Sequence, residues 1–307
     1  MSTAPSVIVP KESRAPRRVR NVVEAFPTLE GAGFPVRRPF PLGRVIQMDP
    51  FLLLDHLGPV DWAPGEAKGA PDHPHRGFET VTYVLQGKLK HRDSTGGGGL
   101  LNDGDVQWMT AGGGIVHSEM PEENFLRNGG VMHGFQVWVN LPAKDKWLRP
   151  KYQERAGKDL PFAGSEDGKV SARIIAGEAL GKSAVVSTHT PIQYIHFTVR
   201  PGGKVDQPVA EHHNAIVYVF SGQARVGDTG VLVREGQMAS LTPGDAVRLF
   251  NDPDSTAVGE LLLMTGEPIG EPIARYGPFV MNTEQEIHQA VADYQSGKMG
   301  EIAPESA

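Results

Sequence analysis

The chain has 307 residues, with 37 Gly, 25 Pro and no Cys, and 30 Lys plus Arg against 36 Asp plus Glu for a net charge of −6. The missing thiols exclude a disulfide framework, thiolate metal ligands and a cysteine nucleophile, so any metal must sit on nitrogen and oxygen. The acidic balance argues against direct nucleic-acid binding, and no apolar run reaches the roughly 20 residues that a membrane helix needs. The N-terminus also lacks the basic-then-apolar order of a secretion signal, so a cytoplasmic protein with no membrane partner is expected.

Residues 1 to about 20 combine Pro5, Pro10 and Pro16 with Lys11, Arg14, Arg17, Arg18 and Arg20, and read as a solvated tail or an added edge segment. From Val36 to Leu263 short β-type runs alternate with Gly, Pro, Asn and Asp clusters, which predicts an all-β sandwich or barrel. Within 131–141, Val131, Phe135, Val137, Val139 and Leu141 share one parity and Gln136 and Asn140 take the other, so one face should be buried. A polar stretch over 143–170 reads as a connection, which divides the chain into domains 1–150 and 151–307. Near the end, Thr283 and Glu286 have capping-box spacing, and Ile287, Ala290, Val291 and Tyr294 recur at helical intervals. A C-terminal helix that packs the chain end down is expected.

Two stretches repeat. Thr80 to Gly87 aligns with Ala215 to Gly222 at an offset of 135, and the segment from Gly104 aligns with that from Gly236 at 132. Two similar β domains in tandem are the economical reading.

The chemistry concentrates in two pairs. His73 and His75, and His117 and Glu119, each have i, i+2 spacing, which on an extended strand puts both side chains on one face. Two such strands make a cage of three imidazoles and one carboxylate, suited to a divalent first-row metal with positions left open. Gly69, Gly77 and Gly112 to Gly114 supply turns and close backbone approach around them. Glu79, six residues after His73, is the rival carboxylate, although Pro74 and Gly77 interrupt the strand that would give it matching parity.

The blocks DPFLLLDHLG, PDHPHRGFETVTYVLQG, DVQWMTAGGGIVHSEMP, FQVWVNLP and GPFVMNTEQEI together resemble the pirin family of the cupin superfamily, from about Arg38 to Tyr294. That resemblance implies two tandem cupin-type β-barrels and names His73, His75, His117 and Glu119 as ligands of an iron ion in the first. It also implies quercetin 2,3-dioxygenase activity on flavonols with dioxygen, with Glu119 as general base. The alternative it carries is a non-enzymatic, iron-dependent regulator that binds a protein partner. Ordinary cupins use the carboxylate at the Glu79 place, which keeps that residue as second choice.

Applying the offsets to the ligands lands on Pro208, Ala210, Leu249 and Asn251, so the second domain should hold no metal. His212 and His213 are adjacent and would face opposite ways in a strand. His133, His189 and His196 read as packed or hydrogen-bonded histidines, and His56, His91 and His288 give no signal. Phe51, Phe78, Trp108 and Met109 are candidates for a pocket that accepts an aromatic substrate, with core packing as their other fate.

Overall fold

The computed structural model describes residues 15–41 and 48–304. Pro5, Pro10, Lys11 and Arg14 of the expected tail lie outside the described residues. The chain runs through β1 (Val19–Glu24), β2 (Phe26–Glu30), β3 (Phe34–Phe40), β4 (Phe51–Trp62), β5 (Ala70–His75), β6 (Phe78–Gln86), β7 (Leu89–Asp93) and β8 (Gly98–Leu101). It continues with β9 (Val106–Thr110), β10 (Ile115–Pro121), a short α1 (Glu123–Asn128), β11 (Gly130–Asn140) and β12 (Lys151–Arg155). The second half holds β13 (Phe162–Gly164), β14 (Val170–Ala176), β15 (Glu178–Ala179), β16 (Lys182–Ser183), β17 (Ile192–Val199), β18 (Lys204–Pro208) and β19 (Asn214–Ser221). It then adds β20 (Gln223–Val226), β21 (Val231–Arg234), β22 (Gln237–Leu241), β23 (Ala246–Phe250), β24 (Gly259–Gly266), β25 (Ala274–Tyr276), β26 (Phe279–Met281) and α2 (Glu284–Gln295).

A seven-stranded sheet of order β12-β9-β6-β11-β4-β3-β2 is accompanied by a four-stranded one, β5-β10-β7-β8. The second half repeats this strand for strand as β1-β22-β19-β24-β17-β14-β13 with β18-β23-β20-β21. Register confirms the duplication: Thr82 faces Gln107 in one sheet and Val217 faces Ala239 in the other, the same offsets of 135 and 132 that the sequence repeat shows. The fold is all-β, two tandem barrels with a C-terminal helix.

A boundary at residue 150 does not separate the sheets cleanly. β1, from the start of the chain, pairs with β22 of the second sheet, and β12, beyond residue 150, pairs with β9 of the first. The two barrels thus exchange their outer strands, which caps an edge on each. Arg17 anchors the exchange: it is 1% exposed and donates to the carbonyls of Ala210, His213 and Gly244. It is a buried clamp rather than part of a solvated tail, and of the two expected readings the added edge segment is the one seen, with β1 at the edge of the second sheet.

The large sheets pack face to face through Phe51, Leu54, Trp108 and Phe135 on one side and Tyr194, Tyr218, Leu262 and Met264 on the other. Odd positions of β6 and β11, such as Val81, Tyr83, Phe135 and Val137, point into this interface. The even positions Thr82, Gln136 and Trp138 point the other way, into the first barrel, so the polar parity of 131–141 lines a cavity. The centre of the second barrel is packed instead. Ile174, Ile195, Phe197, Val217, Leu249 and Leu263 fill it with hydrocarbon.

Two hydrogen-bonded chains cross the interface and are counterparts under the repeat. Tyr218 Oη lies 2.9 Å from His56 Nδ1, whose Nε2 is 2.8 Å from His133 Nε2. Tyr83 Oη lies 2.9 Å from His196 Nδ1, whose Nε2 is 2.8 Å from Glu260 Oε2. Burial first, and the Arg37 charge second, push His56 down to about 2 and His133 to about 4, so both imidazoles are neutral. Tyr218→Phe should leave a nitrogen of the fully buried His56 without a partner and cost about 1–3 kcal/mol in urea unfolding. Tyr83→Phe should cost less, because the His196 side chain is 14% exposed and keeps Glu260.

The C-terminal segment returns to the first barrel. Thr283 and Glu286 form the reciprocal capping box that their spacing predicts, and Ile287 and Ala290 pack with Val116, Phe279, Met281 and Met299. Arg76, next to the histidine pair, donates to Asp293 of α2 at 2.9 Å and to the Gly113 carbonyl at 2.7 Å. No helix among the described residues is long and apolar enough to cross a membrane.

Candidate metal centre

β5 and β10 run antiparallel with His73 opposite His117 and His75 opposite Ile115. The i, i+2 spacing therefore does what an extended strand requires, and the ligand atoms of His73, His75 and His117 lie within 4.8 Å of one another. Among the described residues this is the one grouping of three ligand-type side chains.

The chemistry of the three rings fits a divalent first-row metal. His73 Nδ1 donates to the Pro71 carbonyl at 2.7 Å, which fixes the tautomer and leaves Nε2 as a lone pair. Both ring nitrogens of His117 and Nδ1 of His75 are buried with no hydrogen-bond partner, an arrangement that costs free energy unless another group takes the lone pairs. Burial, then the neighbouring imidazoles, holds His75 and His117 well below the usual histidine range. Those two rings are neutral, the form in which imidazole binds a metal.

Glu119 shares the cavity but stands apart from the 4.8 Å grouping. The β5–β10 register shifts between His117 and Glu119, and the carboxylate accepts from Thr82 Oγ1 at 2.7 Å. The Gln136 carboxamide lies 2.7 Å from the same hydroxyl, so Thr82 and Gln136 hold Glu119 in place. Sequence reasoning missed both, although their even parity beside buried odd neighbours was a usable signal.

Glu79 does not reach the histidines. β5 and β6 are separate strands, with Gly77 at φ 87° between them, so the alternation restarts and Glu79 joins Val81 and Tyr83 on the opposite face from Thr82. Its carboxylate accepts from Thr110 Oγ1 at 2.6 Å, and burial pushes its pKa up to about 7.

The second-barrel equivalents differ from those expected. Two residues join β5 to β6 but five join β18 to β19, and Val205 rather than Pro208 stands opposite Leu249. The counterparts of His73 and His75 are therefore Val205 and Gln207, not Pro208 and Ala210. Leu249 sits in the hydrocarbon core, and Asn251 spends its amide on the carbonyls of Val199 and Ala257. His212 is exposed and 3.8 Å from Glu267, and His213 turns to Thr265.

The cavity beside the histidines measures about 520 Å³, within the range of small-molecule sites. Phe34, Leu53, Leu57, Trp62, Met132 and Trp138 supply most of its apolar wall. Phe51, Phe78, Trp108 and Met109 do not line it; all four are at most 1% exposed and belong to the cores. Phe78 still acts on the site from behind, its ring 5.2 Å from that of His75. His91 and His189 pair with Glu154 at 2.7 Å and Asp145 at 3.6 Å, and His56 is a buried link between barrels.

Comparison with known proteins agrees with this architecture. The family model described as Pirin matches residues 33–139, and that described as Pirin C-terminal cupin domain matches residues 194–300. A "Pirin-like protein" of Solanum lycopersicum is 44% identical over 286 residues, covering 93% of this chain and 94% of that one. A Pseudomonas aeruginosa protein, provisionally named as a quercetin 2,3-dioxygenase, is 42% identical over 270 residues, 87% of this chain and 93% of its own. The crystal structure of quercetin 2,3-dioxygenase from Acinetobacter baumannii superposes with a TM-score of 0.86 at 38% identity, covering 94% of this chain and all of that one. With two matched barrels, a shared strand order and relatives similar over nearly their whole length, the chain belongs to the pirin family, as a protein of two cupin-type domains.

Proposed function

We propose that this protein is a metal-dependent dioxygenase that acts on flavonols such as quercetin, with one divalent ion, iron by family resemblance, held by His73, His75, His117 and Glu119. The observation that carries the reading is the cluster of three imidazoles, two of which, His73 and His75, line a largely apolar cavity. The names of the Pseudomonas and Acinetobacter relatives support it. When bound, the metal supplies Lewis acidity toward a coordinating hydroxyl and a template for dioxygen.

The chain's own residues do the rest. Trp138 and Trp62 offer flat apolar surface to the flavonol rings and keep water off them. Glu119 accepts the proton of the 3-hydroxyl, and the Thr82 hydroxyl holds one oxygen of this cavity-lining carboxylate, leaving the other to take the proton. His73 is kept in one tautomer by Pro71, so the ligand set needs no rearrangement when substrate enters.

Oxygen uptake with quercetin by protein of known metal content tests this reading. Turnover should scale with bound metal and fall at least about 100-fold in Glu119→Ala. Stoichiometric metal without oxygen uptake would contradict it and favour a regulatory, partner-binding role.

A further inference from the structure

The cavity that holds the histidines also carries two arginines, and one of them is fully engaged. Arg38 gives Nε and Nη2 to the two oxygens of Asp55 at 2.7 and 2.6 Å, and Nη2 also meets Glu30. Both acids are thereby committed to Arg38. Arg275, on β25, reaches the rim of the same cavity from the segment that follows the second barrel.

Arg275 is exposed, and among the described residues its guanidinium has neither a hydrogen bond nor an ion pair. Its Cζ sits 4.9 Å from the centre of the Trp138 ring, and the charges of Arg38, Glu30 and Asp55 act on it from nearby. Trp138 in turn packs edge-on to His75 at 5.4 Å and against Phe78 at 4.4 Å. The guanidinium and the ligand-bearing imidazole therefore stand at two ends of one aromatic wall. The cation–π contact holds the guanidinium beside the ring and uses none of its five N–H donors.

We propose that Arg275 recognises a carboxylate on the substrate, so that the preferred substrate class is an aromatic carboxylate whose hydroxylated end reaches His73 and His75. A planar anion with two oxygens matches the guanidinium fork, which a neutral phenol does not. This rests on the reading of the cavity as a substrate site. Glu30 and Asp55 act on Arg275 through their charge but make their hydrogen bonds to Arg38, so the donors of the Arg275 fork remain open to a ligand.

The test compares two probes of one skeleton, 3-hydroxyflavone and 3-hydroxyflavone-4′-carboxylate, by equilibrium fluorescence titration of the metal-loaded full chain at low salt. Wild type should bind the carboxylate about tenfold more tightly than the parent. Arg275→Gln, which keeps length and donors without charge, should bring that ratio to about one, and Arg275→Lys should retain part of it. Equal affinities in wild type, or a preference that survives Arg275→Gln, would overturn the proposal. Binding is read without turnover, so a missing carboxylate preference alongside intact quercetin oxidation sinks this inference alone. Failure of both probes to bind wild type sinks the substrate-site reading with it.

Discussion

Gly77→Ala is expected to destabilise the protein by about 2–5 kcal/mol and to cut its metal content with it. Gly77 follows the histidine pair at φ 87°, where an alanine is strained, and an added Cβ would lie 2.0 Å from the Val280 carbonyl oxygen and 2.7 Å from Met281 Sδ. Neither neighbour can retreat easily. Val280 belongs to the β25–β26 hairpin, and its carbonyl and that of Gly77 both accept from the buried Lys146 ammonium, at 2.9 and 2.7 Å. Gly77 also donates to the Gly112 carbonyl at 2.8 Å, which ties the β5–β6 turn to the loop before β10. Moving this turn therefore shifts His75 and His117 together. Chemical denaturation and metal analysis of the variant check both effects, and a variant with native stability and full metal would refute the packing argument.

Glu119→Ala and Glu79→Ala should fail in opposite ways. Loss of Glu119 removes a carboxylate from the cavity and is expected to weaken metal binding by roughly 100-fold, with little change in stability, because the half-buried side chain leaves only the Thr82 hydroxyl to find another partner. Loss of Glu79 should leave metal affinity within about twofold and instead cost about 1–3 kcal/mol, since Thr110 would keep a buried hydroxyl without its acceptor. Competition titration with a chelator separates the two. The reverse pattern would mean that the ligand strand is continuous through Gly77, contrary to the turn seen there.

Much of this was readable beforehand because the physics involved is local. Alternation fixes which side chains of a strand share a face, so the spacing of His73 and His75 was enough to bring them together. Thr283 and Glu286 could be paired because a capping box is complete within four residues. The repeat offsets survived in the strand registers, yet the five-residue connection before β19 slid the expected counterparts of the histidines from Val205 and Gln207 to Pro208 and Ala210. A loop length is invisible to a short aligned block.

What stayed hidden depends on distant partners. An added edge segment could be expected near residue 20, but nothing in residues 19–24 names the sheet it extends, because an edge strand's partner is set by which edge is vacant after folding. Hydrophobicity likewise could not assign Trp138 to the cavity and Trp108 to the core, since both faces of the large sheet are covered. Arg275 lies far along the chain from the histidines and reaches their cavity only because the C-terminal hairpin folds back onto the first barrel.

The central claim is a single metal centre in the first barrel, and elemental analysis of metal per chain tests it most directly. Wild type should hold one ion, His117→Ala should hold almost none, and the double variant His212→Ala with His213→Ala should match wild type. A stoichiometry near two that falls by half in the double variant, or full metal in His117→Ala, would contradict the account.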